Sequence, residues 1–254
     1  MSAQQINVEV IANNIANVTT TGFKRQRASF ADLLYQSRGA IVGAQSSQEG
    51  TIVPSGNMIG AGVHSAGTYR IHLQGALTET SNPLDLAIQG AGFFQVKLPS
   101  GETAYTRSGA FHMDASGNLV TADGDALEPA ITIPAGATAI SIGSDGTVSV
   151  AQPGQQGLQQ VGAIQLANFP NPSGLNSIGK NLFLSTGSSG DAITGTPGGS
   201  EGIGPLQQGM LEESNVNVVE EFIQMVLTQR AYEANSKVVR AADEMFQNLN
   251  NLTR

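Results

Sequence analysis

Residues 227–252, LTQRAYEANSKVVRAADEMFQNLNNL, decide how the ends of this chain are read. Leu227, Ala231, Ala234, Val238, Ala241 and Met245 step by four and three in alternation, and Leu252 follows one heptad on, the spacing of a coiled-coil seam. The alanines in that seam permit close approach of another helix. Ser214 or Asn215 is the expected N-cap, and Glu220 and Glu221 lie where the positive end of a helix dipole favours carboxylates. A helix from Asn217 to Leu252 would run about 54 Å at ~1.5 Å per residue. That is longer than a compact domain asks of its last element, so it is expected to project. The start of the chain carries a shorter version, with Val8, Ile11, Ile15 and Val18 recurring at steps of three, four and three. This helix is expected to stop between Thr19 and Gly22, because threonines propagate helix poorly and Gly22 suits a left-handed C-terminal position.

Between these helices, short apolar segments alternate with turn signals, the pattern of an all-β domain. Strands are expected at 84–88, 92–98, 104–107, 110–113, 118–121, 139–142, 147–150 and 160–167, with 181–185 also extended and 185–205 an irregular loop. Asp123-Gly124, Asp114-Ala-Ser-Gly117 and Ser144-Asp-Gly146 supply positive-φ positions for hairpins. The expected fold is α+β: a mainly β central domain flanked by N- and C-terminal α-helices that pair as a coiled coil. Its divisions are an N-terminal helix over 1–22, an extended connection over 23–69, a glycine-rich β domain over 70–210 and a C-terminal helix over 211–254.

Composition excludes several function classes. Twenty acidic and twelve basic side chains leave a net charge of −8 among 254 residues, a poor balance for neutralising phosphates. There is no cysteine, hence no thiolate nucleophile or cysteine metal site, and only three histidines. His64, His72 and His112 lack the spacing of a helical metal pair and read as solvated or hydrogen-bonded strand residues. Asp123, Asp125 and Glu128 lack the ligand periodicity of a calcium loop and read as a hairpin turn. Gly174 to Asn181 nearly matches a P-loop, but a strand rather than a helix is expected to follow it. Gly198-Gly-Ser200-Glu-Gly202 has the letters of a nucleophile elbow without a strand to feed it. Lys24, Arg25 and Arg27 form the one basic cluster and read as a solvated or inter-subunit face. No apolar run reaches the ~18 residues of a membrane-spanning helix, and a positive-then-apolar cleavable leader is not seen at the start. Catalytic, cofactor and metal residues are therefore not assigned.

Ala12-Asn-Asn-Ile-Ala-Asn17 with Thr21-Gly-Phe-Lys24, then Leu206-Gln-Gln-Gly209, Glu212-Glu-Ser-Asn-Val-Asn217 and Gln229-Arg-Ala-Tyr-Glu233, resemble bacterial flagellar axial proteins, the rod and hook subunits. Asn82-Pro-Leu-Asp-Leu-Ala-Ile88 and Gly92-Phe-Phe-Gln95 extend the resemblance through the middle, and the match is closest to the distal-rod branch. Its signature positions are Asn13, Asn14, Asn17, Gly22, Phe23, Lys24, Arg230 and Tyr232. The resemblance implies a non-enzymatic subunit of a rigid tubular drive shaft, exported without a cleaved signal and placed in the basal body across the periplasm. Its partners would be copies of itself in a helical tube, proximal-rod and hook-side axial proteins and the surrounding ring proteins, without nucleic acid or membrane insertion. Residues 43–62 occupy the place of a segment that wedges neighbouring subunits. Family members usually begin about two to three helical turns before the position of Met1. The longer proximal-rod subunit is the nearest rival within the family, and a monomeric β-domain binding module the rival outside it.

Overall fold

The computed structural model describes residues 1–37, 45–46, 51–52, 58–154, 157–199 and 201–252. It is α+β and mainly β, with one helix near each end: α1, Ser2–Ala16, and α2, Val218–Leu252. The chain divides into two units, one formed by 1–12, 26–69 and 222–254, the other by 13–25 and 70–221.

The larger unit is built on a nine-stranded sheet whose centre is Phe93–Lys97, four of its five residues buried. Thr103–Thr106 pairs with it on one side and Ala126–Glu128 on the other, both antiparallel. Side chains alternate across a strand, so Phe94 and Val96 enter a core with Phe111, Leu119 and Leu127, while Phe93 enters a second, aromatic cluster with Tyr105, Phe169 and Phe183. Edge-to-face rings hold both, Phe94 to Phe111 at 5.1 Å and Tyr105 to Phe169 at 4.7 Å between centroids. A three-stranded sheet of Ala139–Ile142, Thr147–Ala151 and Leu158–Ala163 adds Ile142, Val148 and Val150 to the first core.

Most expected strands lie within a residue or two of their observed bounds. The expected strand over 160–167 is two, Leu158–Ala163 and Leu166–Asn168, in different sheets, with Ile164 fully buried where the chain crosses between them. Residues 185–205 contain a short strand, Ile193–Gly195, on the edge beside Leu166–Asn168. Ala126–Glu128 was not expected as a strand, since three residues give too short a window for alternation. Nor were Leu77–Glu79 and Met210–Glu212, which pair with each other and bring distant parts of the chain together.

In the smaller unit Gln26–Asp32 pairs with Val63–Arg70, and Tyr35–Ser37 with Met58–Gly60. Within this unit Asn7 donates to the Thr228 hydroxyl at 3.1 Å, and Met1 to Gln4 border the recess that Asn235 also lines, so α1 runs antiparallel to α2 there. Of the expected wedge segment 43–62, residues 43–44, 47–50 and 53–57 lie outside the described residues.

Candidate functional site

α1 ends at Ala16, short of the stop expected between Thr19 and Gly22 and two residues before Val18, because the turn that follows is held by Thr20 donating to the Asn17 side chain at 3.2 Å. Asn17 in turn donates to the Asn13 carbonyl at 2.9 Å. Gly22 has φ +68°, as a left-handed position requires, and a Cβ there would also sit 2.8 Å from the Arg107 carbonyl carbon. Only glycine meets both demands. Its N–H donates to the Glu212 carbonyl at 2.7 Å.

That approach carries Lys24 into the interior, against the expectation of a solvated or inter-subunit basic face. Lys24 is 1% exposed. Its ammonium donates to the Glu212 carboxylate at 2.6 Å and to the Leu73 carbonyl at 2.7 Å. The other Glu212 oxygen accepts from Arg107 Nε, and the Gly75 N–H adds a bond at 2.8 Å. Arg107 gives three further donors to the carbonyls of Ile88, Gly90 and Gly92. Burial alone would raise the Glu212 carboxyl, but Arg107 and Lys24 outweigh it and hold it below the usual carboxylate range. Burial also lowers the Lys24 ammonium, partly offset by Glu212. Beside this cluster the Asn215 amide donates to the Ile71 and Leu73 carbonyls, and its oxygen accepts from the Arg25 N–H at 2.7 Å. Arg25 pairs with Glu220 and Glu221 at 3.2 and 3.5 Å, while Arg27 is exposed.

The α2 cap is consequently Asn217, not Ser214 or Asn215. Its side-chain oxygen accepts from the N–H groups of Val219 and Glu220 at 3.1 and 3.4 Å. Asn215 is committed to the cluster above, and Ser214 accepts from the Val216 N–H.

Among the other signature residues, Asn14 is 1% exposed and donates to Glu221 at 3.2 Å. Phe23 is buried under the Arg70 guanidinium, 5.6 Å from its ring centroid. Asn13 is exposed, Arg230 is paired with Glu233 on the surface, and Tyr232 is 42% exposed. Of the expected seams, Ile11 is buried, and Val8, Ile15, Val18 and Ala231 are half-buried. Ala234 and Ala241 are exposed, as are Leu227, Val238 and Met245 at 58, 69 and 63%. The Leu252 side chain lies outside the described residues. Phe222, Ile223, Val226, Val239, Phe246 and Leu249 are each half exposed or more, so α2 leaves a wide apolar surface open in the single chain.

Glu212 and Arg107 were not singled out for a structural role by sequence reasoning. The only local signal was a charged residue in a chain poor in charge; their partners lie 188 and 105 positions apart along the chain.

Among the described residues no group of three or more histidine and acidic side chains could hold a metal ion. His64 and His112 are exposed on strands. His72 instead packs edge-on to Phe93 and Phe183, its Nδ1 buried without a hydrogen-bond partner. Burial first, then the charges of Lys24, Arg70 and Arg107, push its pKa down to about 4. Asp123 and Asp125 flank the hairpin turn at Gly124, where Asp123 pairs with Lys180. The P-loop-like segment is a hairpin, Asn176–Gly179 with Leu182–Leu184. Ser200 of the elbow-like segment lies outside the described residues.

A β unit tied by buried ion pairs and a long helix with an open apolar face are features shared by proteins that work through packing surfaces. Three family models match the chain: "Flagella basal body rod protein" over 1–24, "Flagellar hook protein FlgE/F/G D1 domain" over 87–150 and "Flagellar basal body rod FlgEFG protein C-terminal" over 207–252. The flagellar basal-body rod protein FlgG of Caulobacter vibrioides is 54% identical over 97% of this chain and 94% of its own length. That of Bacillus subtilis is 40% identical over 98% and 94%, and the Caulobacter vibrioides rod protein FlgF is 34% identical over 94% and 88%. This chain belongs to the flagellar basal-body rod and hook FlgE/F/G family.

Proposed function

We propose that the chain is a structural subunit of the flagellar basal-body rod, in its distal part, assembling with copies of itself into a rigid tube that passes torque to the hook. The observation that carries this reading is the open face of α2. Nine apolar side chains between Phe222 and Leu249 are each at least half exposed, far more than an isolated soluble chain leaves in water without a partner. In the tube, α1 and α2 would pair as a coiled coil, with Leu227, Ala231, Ala234, Val238, Ala241, Met245 and Leu252 facing helices of neighbouring copies. The helical parts of 1–22 and 211–254 would form the inner layer, 70–210 the outer β domain, and 43–62 a wedge between subunits. Export without a cleaved leader, a position across the periplasm and contact with proximal-rod, hook-side and ring proteins follow from the same reading. The work is mechanical and calls for no catalytic residue.

A proximal-rod role is the alternative within the family. Identity to the two Caulobacter vibrioides proteins, 54% to FlgG against 34% to FlgF, favours the distal one. Helical circular dichroism and sedimentation over a wide concentration range test the reading. A tube subunit gains helix as straight polymers form, whereas a compact monomer of fixed helicity at every concentration would instead support a β-domain binding module.

A further inference from the structure

A recess of about 520 Å³ opens in the larger unit between the turn after α1 and the sheet. Its wall mixes polar and apolar surface, with Asn13, Asn17, Thr21, Ser108 and Thr121 among the polar lining residues and Asp123 its acid. The Arg70 guanidinium also lines it, stacked 5.6 Å from the Phe23 centroid and 5.2 Å from that of Phe183. Arg70 donates through Nη2 to the Ser177 hydroxyl at 3.1 Å, and it forms no ion pair among the described residues. Most of a planar fork of five donors is thus presented without a carboxylate. Burial lowers its pKa, and no counter-ion among the described residues offsets that desolvation.

The lip of the recess is the two-residue turn of the Asn176–Gly179 and Leu182–Leu184 hairpin. Its central residues, Lys180 and Asn181, have φ of 52° and 61°, the positive values that a two-residue hairpin turn requires at both positions. Asn181 fixes the turn against the rest of the unit, donating to the Thr21 carbonyl at 2.7 Å and accepting from the Thr106 hydroxyl at 3.0 Å. Lys180 is held at 3.1 Å by Asp123, which lines the recess beside it, and this leaves Arg70 as the cation there without an ion-pair partner.

We propose that this recess receives an acidic segment of a neighbouring copy of the chain, its carboxylate taken by the Arg70 guanidinium and its backbone by the amide and hydroxyl wall. The assignment rests on the rod reading above. One guanidinium matches one carboxylate in bidentate geometry, whereas a phosphate dianion would find a second cation already engaged. A chain with twenty acidic and twelve basic residues presents such carboxylates on its copies.

Two measurements on the full chain test this. The critical concentration for polymerisation is compared for wild type, Arg70→Met, which keeps an apolar stem between the rings, and Arg70→Lys, which keeps the charge without the fork. About a tenfold rise is expected for Arg70→Met, in line with loss of one charge-assisted hydrogen-bonded contact, and a smaller rise for Arg70→Lys, with unchanged β-unit melting in both. Wild-type assembly by Arg70→Met overturns the proposal; should that variant unfold, Arg70→Lys decides in its place. Separately, the Arg70 Nε–H resonance is followed while the peptide N-acetyl-Ala-Glu-Ala-amide or inorganic phosphate is added to unassembled chain. A saturating shift with the peptide supports the site, even if wild type forms no polymer and the rod reading itself fails. No shift with the peptide, or an equal response to phosphate, overturns the assignment.

Discussion

Glu212 is 1% exposed, yet it meets two cations from distant parts of the chain, Lys24 from the turn after α1 and Arg107 from just beyond the strand Thr103–Thr106. Removing one partner of a buried ionic group leaves the others uncompensated, which costs about 3 to 5 kcal/mol. Glu212→Ala should therefore lower the unfolding free energy of the β unit by that amount in denaturant titration. A loss below about 1 kcal/mol would mean that water reaches the cluster. Acid should act in two successive windows. The His72 pKa is lower in the folded chain, about 4 against 6.5, so the unfolded state binds its proton first as pH falls. The stability this provides is complete above pH 6.5 and is lost between 6.5 and about 4, a change on the order of 3 kcal/mol. Below the ordinary glutamate value of 4.5, the depressed Glu212 pKa adds a second loss of the same sign. His72→Leu should flatten the first window and keep the second in melting curves recorded from pH 7 to 3; an unchanged slope above pH 4.5 would refute the His72 assignment.

At the scale of elements, Met210–Glu212 pairs with Leu77–Glu79 and carries Glu212 into the cluster, while Asn215 bonds the 71–73 segment just before α2 starts. The β unit thus extends through Glu221 and takes in residues 13–25. A chain ending before Leu211 loses both the strand and the counter-charge of Lys24 and Arg107, and should give no cooperative melting of the β unit. A chain ending at Glu221 should retain it. Calorimetry of the two decides, and cooperative melting of the shorter one at the full-length temperature would show that the cluster is dispensable. The capping of α2 shows the same dependence on context. Ser214, Asn215 and Asn217 are all competent cap residues, and local preference alone does not rank them. Asn217 caps because Asn215 is taken up by the Arg25 N–H and two carbonyls.

At the scale of the whole molecule, the apolar surface of α2 dominates. Val238 is 69% exposed in the single chain, so a charge there costs little before assembly and much once the seam is dry. Val238→Asp should abolish polymers in sedimentation at concentrations where wild type assembles, with melting of the β unit unchanged. Normal polymers from this variant would remove Val238 from the seam. Short-range order sets what could be read from the chain alone. The periodicity of 227–252, the left-handed position of Gly22, the hairpin turns and the apolar segment 92–98 each lie within one short stretch of sequence, where local sterics and side-chain period decide the outcome. These, together with low charge and absent cysteine, determined an α+β chain with helical ends and without a recognisable catalytic constellation. Tertiary structure alone decided that Lys24 is buried rather than solvated, that Glu212 joins it to Arg107, and that Arg70 stacks between Phe23 and Phe183. No local pattern records such partners, because they are chosen by which segments the folded sheets bring within a few ångströms, and Lys24 and Glu212 stand 188 residues apart.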